Sequence, residues 1–125
     1  MCKSLMTLHI LELIKNSLLE VEKRSERITE PNDFLISETG VILMDSICMK
    51  LSAVGESIKN LDKITEHQLL PNYPEIPWKN VMGVRDFIVH HYFEVDADVI
   101  YGICKQDVPA LITVIERMME DLQKK

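Results

Sequence analysis

The sequence has no long apolar run, no strand-like alternation, no excess of positive charge and little cysteine. Nothing in it approaches the roughly 20 consecutive apolar residues of a membrane span. Glu12, Lys15 and Asn16 break the leucine-rich N-terminus before a secretory core forms. The chain is therefore expected neither to insert into a membrane nor to cross one. Its three cysteines, Cys2, Cys48 and Cys104, are odd in number, widely spaced and without the paired spacing of a zinc site, which fits a reduced, cytoplasmic setting. Apolar and polar residues nowhere alternate at period two over a strand's length, so helices are left to carry the fold. Pro/Gly/Ser-rich tracts, single-residue tracts and internal repeats are missing too, which argues against a linker.

Lysine and arginine number 14 against 20 aspartates and glutamates, a formal charge of −6. That mean field repels nucleic acid at long range and disfavours a sequence-blind RNA coat. A narrow basic pocket remains open to the chain, because local cations outweigh the mean within a Debye length of about 8 Å. A basic partner surface remains open as well.

What is present is helical periodicity. With 125 residues, 46% apolar and 27% charged, one domain spanning residues 1–125 is expected, large enough to bury about two thirds of its unfolded surface. The spacing predicts a first helix from near Ser4 to near Arg27 with Leu11, Ile14, Leu18 and Val21 inward, stopped at Pro31-Asn32. A second begins around Ser37 and carries Met44, Ile47, Leu51, Val54, Ile58 and Leu61. Ile42, Met49 and Ala53, on nearly its opposite side, imply a second packing partner.

Pro71, Pro74 and Pro77 make residues 65–77 a loop with at most a turn of helix, and Pro77 pre-sets the start of a third helix. Asp96 is expected to cap a short helix weakened at Gly102. Asp107 is expected to cap the last one, with Pro109 in its first turn and Leu111, Ile115, Met118 and Leu122 in its stripe. The architecture predicted is all-α, an up-and-down four-helix bundle with a short additional helix.

The third helix carries the informative residue. At about 100° per residue, Trp78, Val81, Met82, Ile88, Val89, Tyr92 and Phe93 fall on one broad arc, and Arg85 projects from its centre. A guanidinium cannot shed its proton, and burying it unpaired costs several kcal/mol or more. It must therefore meet a carboxylate, a subunit seam, a water-filled cleft or an anionic ligand. His90 lies five residues on, rotated by about 140°, so in a straight helix the two flank rather than touch. Either the helix distorts near His90, or a second copy of the chain completes the site across a two-fold seam. Histidine can take the proton from an RNA 2′-hydroxyl or protonate a leaving 5′-oxygen, and arginine offers a rigid fork to a phosphate as charge builds. Neither step needs a metal or another cofactor, and none is expected.

The string Arg85-Asp86-Phe87-Ile88-Val89-His90-His91-Tyr92 resembles the R-x4-H-x-Y motif of HepT-like proteins, members of the HEPN superfamily. Gly55-Glu56, Ile76-Pro77-Trp78, Met82-Gly83-Val84, and Asp96 with Val99 and Ile100 resemble the same pattern, covering nearly the whole chain. The resemblance implies a HEPN helical bundle, a homodimer with two motifs facing one cleft, and metal-independent cleavage of RNA. It further implies a toxin–antitoxin pair with a minimal nucleotidyltransferase (MNT) that neutralises the toxin by adding AMP to Tyr92. On this basis His90 is the acid/base, Arg85 the phosphate-binding group and Tyr92 the modification site. Asp86 and Glu56 are supporting residues, although Asp86 stands where such ribonucleases commonly have asparagine and adds negative charge beside the phosphate.

Other readings stand beside these. Arg85 can form a structural ion pair with Glu56. His90 can be an ordinary surface histidine, and Tyr92 a core or interface tyrosine. His91 diverges from His90 by about 100°, a poor chelating pair, and His9 and His67 have no ligand cluster around them. The functional alternative is a non-catalytic module that binds a nucleotidyltransferase and helps position a nucleotide or substrate.

Overall fold

A computed structural model of the chain describes residues 2–91 and 94–124. Helix α1 (Cys2–Ser25) buries Leu11, Ile14, Leu18 and Val21, the three- and four-residue spacing that keeps one face inward. A short 3-10 turn, Pro31–Phe34, reverses the chain and sends Phe34 into the core. Ser37 then starts α2 (Glu38–Ile64), its hydroxyl accepting the Gly40 N–H at 2.9 Å. After a second 3-10 turn, Leu70–Asn72, come α3 (Trp78–Met82) and α4 (Val84–His90). They are followed by α5 (Ala97–Gly102), a π-helical turn (Ile103–Asp107) and α6 (Val108–Gln123).

The protein is an all-α bundle. Helix α1 packs between α2 and α6, while α3 and α4 lie on α2, and α5 returns to the 3-10 turn before α2. Because α3 starts near the C-terminal end of α2 and α5 ends up near its beginning, the α3–α4 pair runs back along α2. Among the described residues no helix is long and apolar enough to cross a membrane.

Three local expectations are corrected. First, the third helix is not continuous. It breaks at Gly83 (φ −86°, ψ −5°), five residues after Trp78, and Val81 and Val84 on either side of the break both approach α2 at Gly55.

Second, α5 ends at Gly102 but passes directly into the next turn, and Asp107 does not cap α6. Gly102 (φ −60°, ψ −42°) and Asp107 (φ −75°, ψ −41°) are both helical, and the Asp107 side chain makes no capping bond. The chain runs through a widened turn in which the Val108 N–H reaches back to the Ile103 carbonyl. Pro109 accounts for the widening: it has no N–H to give the Lys105 carbonyl, and its ring would collide with that oxygen in a regular helix.

Third, the partner of α2 does not cover the face that was expected to call for one. Helices α3 and α4 pack around Gly55, whereas Ile42 and Met49 remain 58% and 73% exposed and Ala53 is exposed with them.

Candidate active site

The site begins at a missing side chain. A Cβ on Gly55 would stand 2.9 Å from Val84 Cγ1, 3.0 Å from the Val81 carbonyl oxygen and 3.6 Å from the Arg85 nitrogen. Glycine therefore lets the α3–α4 junction press its backbone onto α2, and Arg85 is fixed at that contact. The next residue of α2, Glu56, brings Oε1 to 3.6 Å from Arg85 Nε, and Asp86 Oδ1 lies 3.6 Å from Arg85 Nη1.

Arg85 is not embedded in an oily stripe. Its side chain is 47% exposed. The inward positions of this stretch are Trp78 and Ile88, with Val81 and Val84 half-buried between them. Val89, placed on the apolar arc by a straight-helix reading, is 54% exposed. Val81, Val84 and Ile88 turn inward at three- and four-residue spacing, and Arg85 stands at the flank of that row. No desolvated cation has to be explained. What stands there is a half-exposed guanidinium whose two carboxylate contacts are longer than hydrogen bonds and whose partners are themselves about half exposed. Such pairs contribute about 0–1 kcal/mol, so an incoming phosphate can displace them.

His90 is the last residue of α4 and is exposed. Its Nδ1 lies 2.7 Å from the Asp86 carbonyl oxygen. A carbonyl only accepts, so this bond puts the proton on Nδ1 and, in the neutral ring, leaves Nε2 with its lone pair. His91 makes the equivalent bond to the Phe87 carbonyl at 2.9 Å, but its ring also stacks on Phe87 with centroids 4.9 Å apart. Arg85 and His90 share one unbroken helix, and the distortion that occurs lies upstream of both, so it does not bring them onto one face. Tyr92 lies outside the described residues.

His67 is taken up by Asp62, with Nδ1 and Oδ2 2.8 Å apart, and among the described residues no three His, Cys, Asp or Glu side chains gather as a metal site. Gly55 is the residue whose role the helical pattern concealed. A glycine in mid-helix signals close approach only when the partner backbone is known, and here the partner is 26–30 residues downstream.

The fold and site define an all-helical protein that presents an arginine and a histidine from one short, exposed helix, the arginine near its start and the histidine at its end. Residues 9–118 match the family described as ribonuclease HepT-like, and the chain belongs to that family. It is 34% identical over 116 residues (93% of this chain, 47% of the relative) to a Methanocaldococcus jannaschii protein named "Gamma-glutamylcyclotransferase and putative RNase". It is 32% identical over 78 residues (62% and 61%) to another from the same organism named "Putative RNase", and 32% identical over 73 residues (58% and 63%) to the "Probable ribonuclease HepT" of Thermococcus cleftensis. The chain thus spans about half to three fifths of the length of these relatives. No solved structure matches it.

Gly55→Ala tests the junction. The added methyl forces Val84 or the Val81 carbonyl to move and is expected to cost about 1–3 kcal/mol in urea unfolding. Gly102→Ala, where an added Cβ meets nothing within 4 Å, is expected to stabilise by up to about 1 kcal/mol.

Proposed function

We propose that this chain is a metal-independent endoribonuclease that acts as the toxin of a toxin–antitoxin pair. The observation that carries the reading is the His90 ring, which keeps Nε2 available because Nδ1 is bound to the Asp86 carbonyl, on the helix that also displays the loosely held Arg85 fork. In the reaction an RNA 2′-oxygen attacks the adjacent phosphorus as its proton leaves, and the bond to the 5′-oxygen breaks as that oxygen gains a proton. The products are a 2′,3′-cyclic phosphate and a 5′-hydroxyl. Nε2 of His90 performs a proton transfer, and Arg85 meets the charge on the non-bridging oxygens.

One histidine serves one of the two proton transfers at a time, and a homodimer supplies the second. Ile42, Met49 and Ala53 lie on the same side of α2 as Glu56 by their spacing, and Val89 follows Arg85 by one turn, so an exposed apolar strip leads up to the Arg85–Glu56 pair. A second copy seated on that strip about a two-fold axis would bring two Arg85–His90 pairs to a composite cleft. A nucleotidyltransferase antitoxin that adds AMP to Tyr92 would then block the cleft by charge and bulk.

The test is purified protein incubated with RNA in EDTA. Cleavage to cyclic-phosphate ends is expected, together with a dimer in sedimentation that Met49→Glu converts to an inactive monomer. Intact RNA from a verified dimer would overturn the reading. It would favour the non-catalytic module that binds a nucleotidyltransferase, which Asp86 beside Arg85 and the charge of −6 support.

A further inference from the structure

A cleft of about 410 Å³ opens on a different side of α3–α4, lined by neither Arg85 nor His90. Its floor is core: Leu18, Leu51 and Val108 are all buried. Ile103 of the π turn and Val81 and Val84 of the α3–α4 junction contribute apolar wall. The polar lining is Glu75, Asn80 and Asp107, and no lysine, arginine or histidine lines it among the described residues. A concave, mostly apolar space of this size with a few convergent polar groups has the composition of a small-molecule site.

The two carboxylates at its edge differ. Glu75 is engaged by Arg117, whose hydrogen bond holds the Glu75 carboxyl below its ordinary value. Asp107 is left over. The chain passes through it in helical conformation, its side chain caps nothing, and no hydrogen bond or ion pair to it is found among the described residues. Ile103 and Asp107, four residues apart at the two ends of the π turn, both lie on the cleft side. Asp107, exposed and without a capping bond, thus stands at the lip of an apolar space.

We propose that this cleft binds a small molecule with an apolar body and a protonated amine, the body lying over Leu18, Leu51 and Val108 and the amine meeting Asp107. An anionic ligand is disfavoured by Asp107 and by a lining that holds no lysine, arginine or histidine among the described residues. A second copy is the other conceivable occupant. However, the exposed strip of α2, Ile42, Met49 and Ala53, points away from Leu51 and Val54, which line the cleft, so a copy on that strip leaves the cleft open. The inference is independent of nuclease activity.

The experiment titrates the full chain with octylamine, octanol and octanoate, each below its micelle concentration. Binding is read by calorimetry and by fluorescence of Trp78, the sole tryptophan, which adjoins Ile76 and Pro77 of the lining. Octylamine is expected to saturate at one per chain and to bind at least tenfold more tightly than octanoate. Asp107→Asn, at an exposed position, should abolish the preference for amine over alcohol while retaining octanol. Asp107→Lys should invert the order of amine and carboxylate. The absence of saturable binding, or an order of affinities untouched by both variants, overturns the proposal. Octylamine binding that falls as protein concentration and measured mass rise assigns the cleft to a second copy and overturns it equally.

Discussion

His90→Ala is expected to slow RNA cleavage by about 10²–10⁴-fold, the range of a lost general acid or base, with no change in far-UV dichroism or in unfolding midpoint. The ring is exposed and bonds only a local carbonyl, so its removal leaves no cavity and no buried unpaired group. Arg85→Ala should cost about 10²–10³-fold, as does deletion of one donor to a developing oxyanion. Arg85→Lys should recover only part of the loss, since an ammonium lacks the planar fork. The Arg85→Ala, His90→Ala double variant should be scarcely slower than the worse single one, because groups that act on one transition state are not additive.

The control is His91→Ala. His91 has the same kind of Nδ1 bond but is stacked on Phe87, so activity should stay within about twofold of wild type if Nε2 of His90 is the reacting atom. Single-turnover rates in EDTA measure all of these. Equal rates in wild type and His90→Ala would remove the proposed chemistry while leaving family membership untouched.

The long helices were legible in the sequence because their apolar residues recur at three and four: Leu11, Ile14, Leu18 and Val21 in α1, and Ile47, Leu51, Val54, Ile58 and Leu61 in α2, are all buried. The motif that drew attention to Arg85 and His90 was legible too. The reason first assigned to it was not. Periodicity gives a broad apolar arc but not which part of it meets a neighbour: Val81, Val84 and Ile88 turn inward, and the arginine placed at the centre of the arc lies at its flank.

Asp107 misled for a related reason. Aspartate two residues before proline reads as a helix start, yet the chain stays helical from α5 into α6, which packs on α1, and absorbs the proline as a π turn. The close approaches at Gly55 and Gly40 are tertiary facts, and neither has a signature within its own helix.

Gly40→Ala should be the most destabilising of the four glycine-to-alanine substitutions, although intrinsic propensity argues the reverse. In the first turn of α2 an alanine gains about 1 kcal/mol over glycine. A Cβ built at Gly40 would, however, stand 2.1 Å from the Asp33 carbonyl oxygen and 3.2 Å from the carbonyl carbons of Asp33 and Phe34. The obstruction is backbone, which cannot rotate aside as a side chain does. The turn is also pinned at both ends. The Asp33 carboxylate accepts the Thr29 N–H at 2.9 Å and its hydroxyl at 3.0 Å, and Phe34 is fully buried.

To admit the methyl, either α2 lifts from the turn or Phe34 leaves its socket. A cost of about 3 kcal/mol or more is therefore expected, at the upper end of overpacking effects. Urea unfolding measures it, and an independent readout follows from linkage. The bonds from Thr29 hold the Asp33 carboxyl below its ordinary 3.8, so they contribute stability above that pH that is lost as pH falls through the lower folded value. In Gly40→Ala the displaced turn loosens those bonds, and NMR titration should find Asp33 closer to 3.8. A variant as stable as wild type, with Asp33 titrating unchanged, would mean that the turn does not rest on α2 at this glycine.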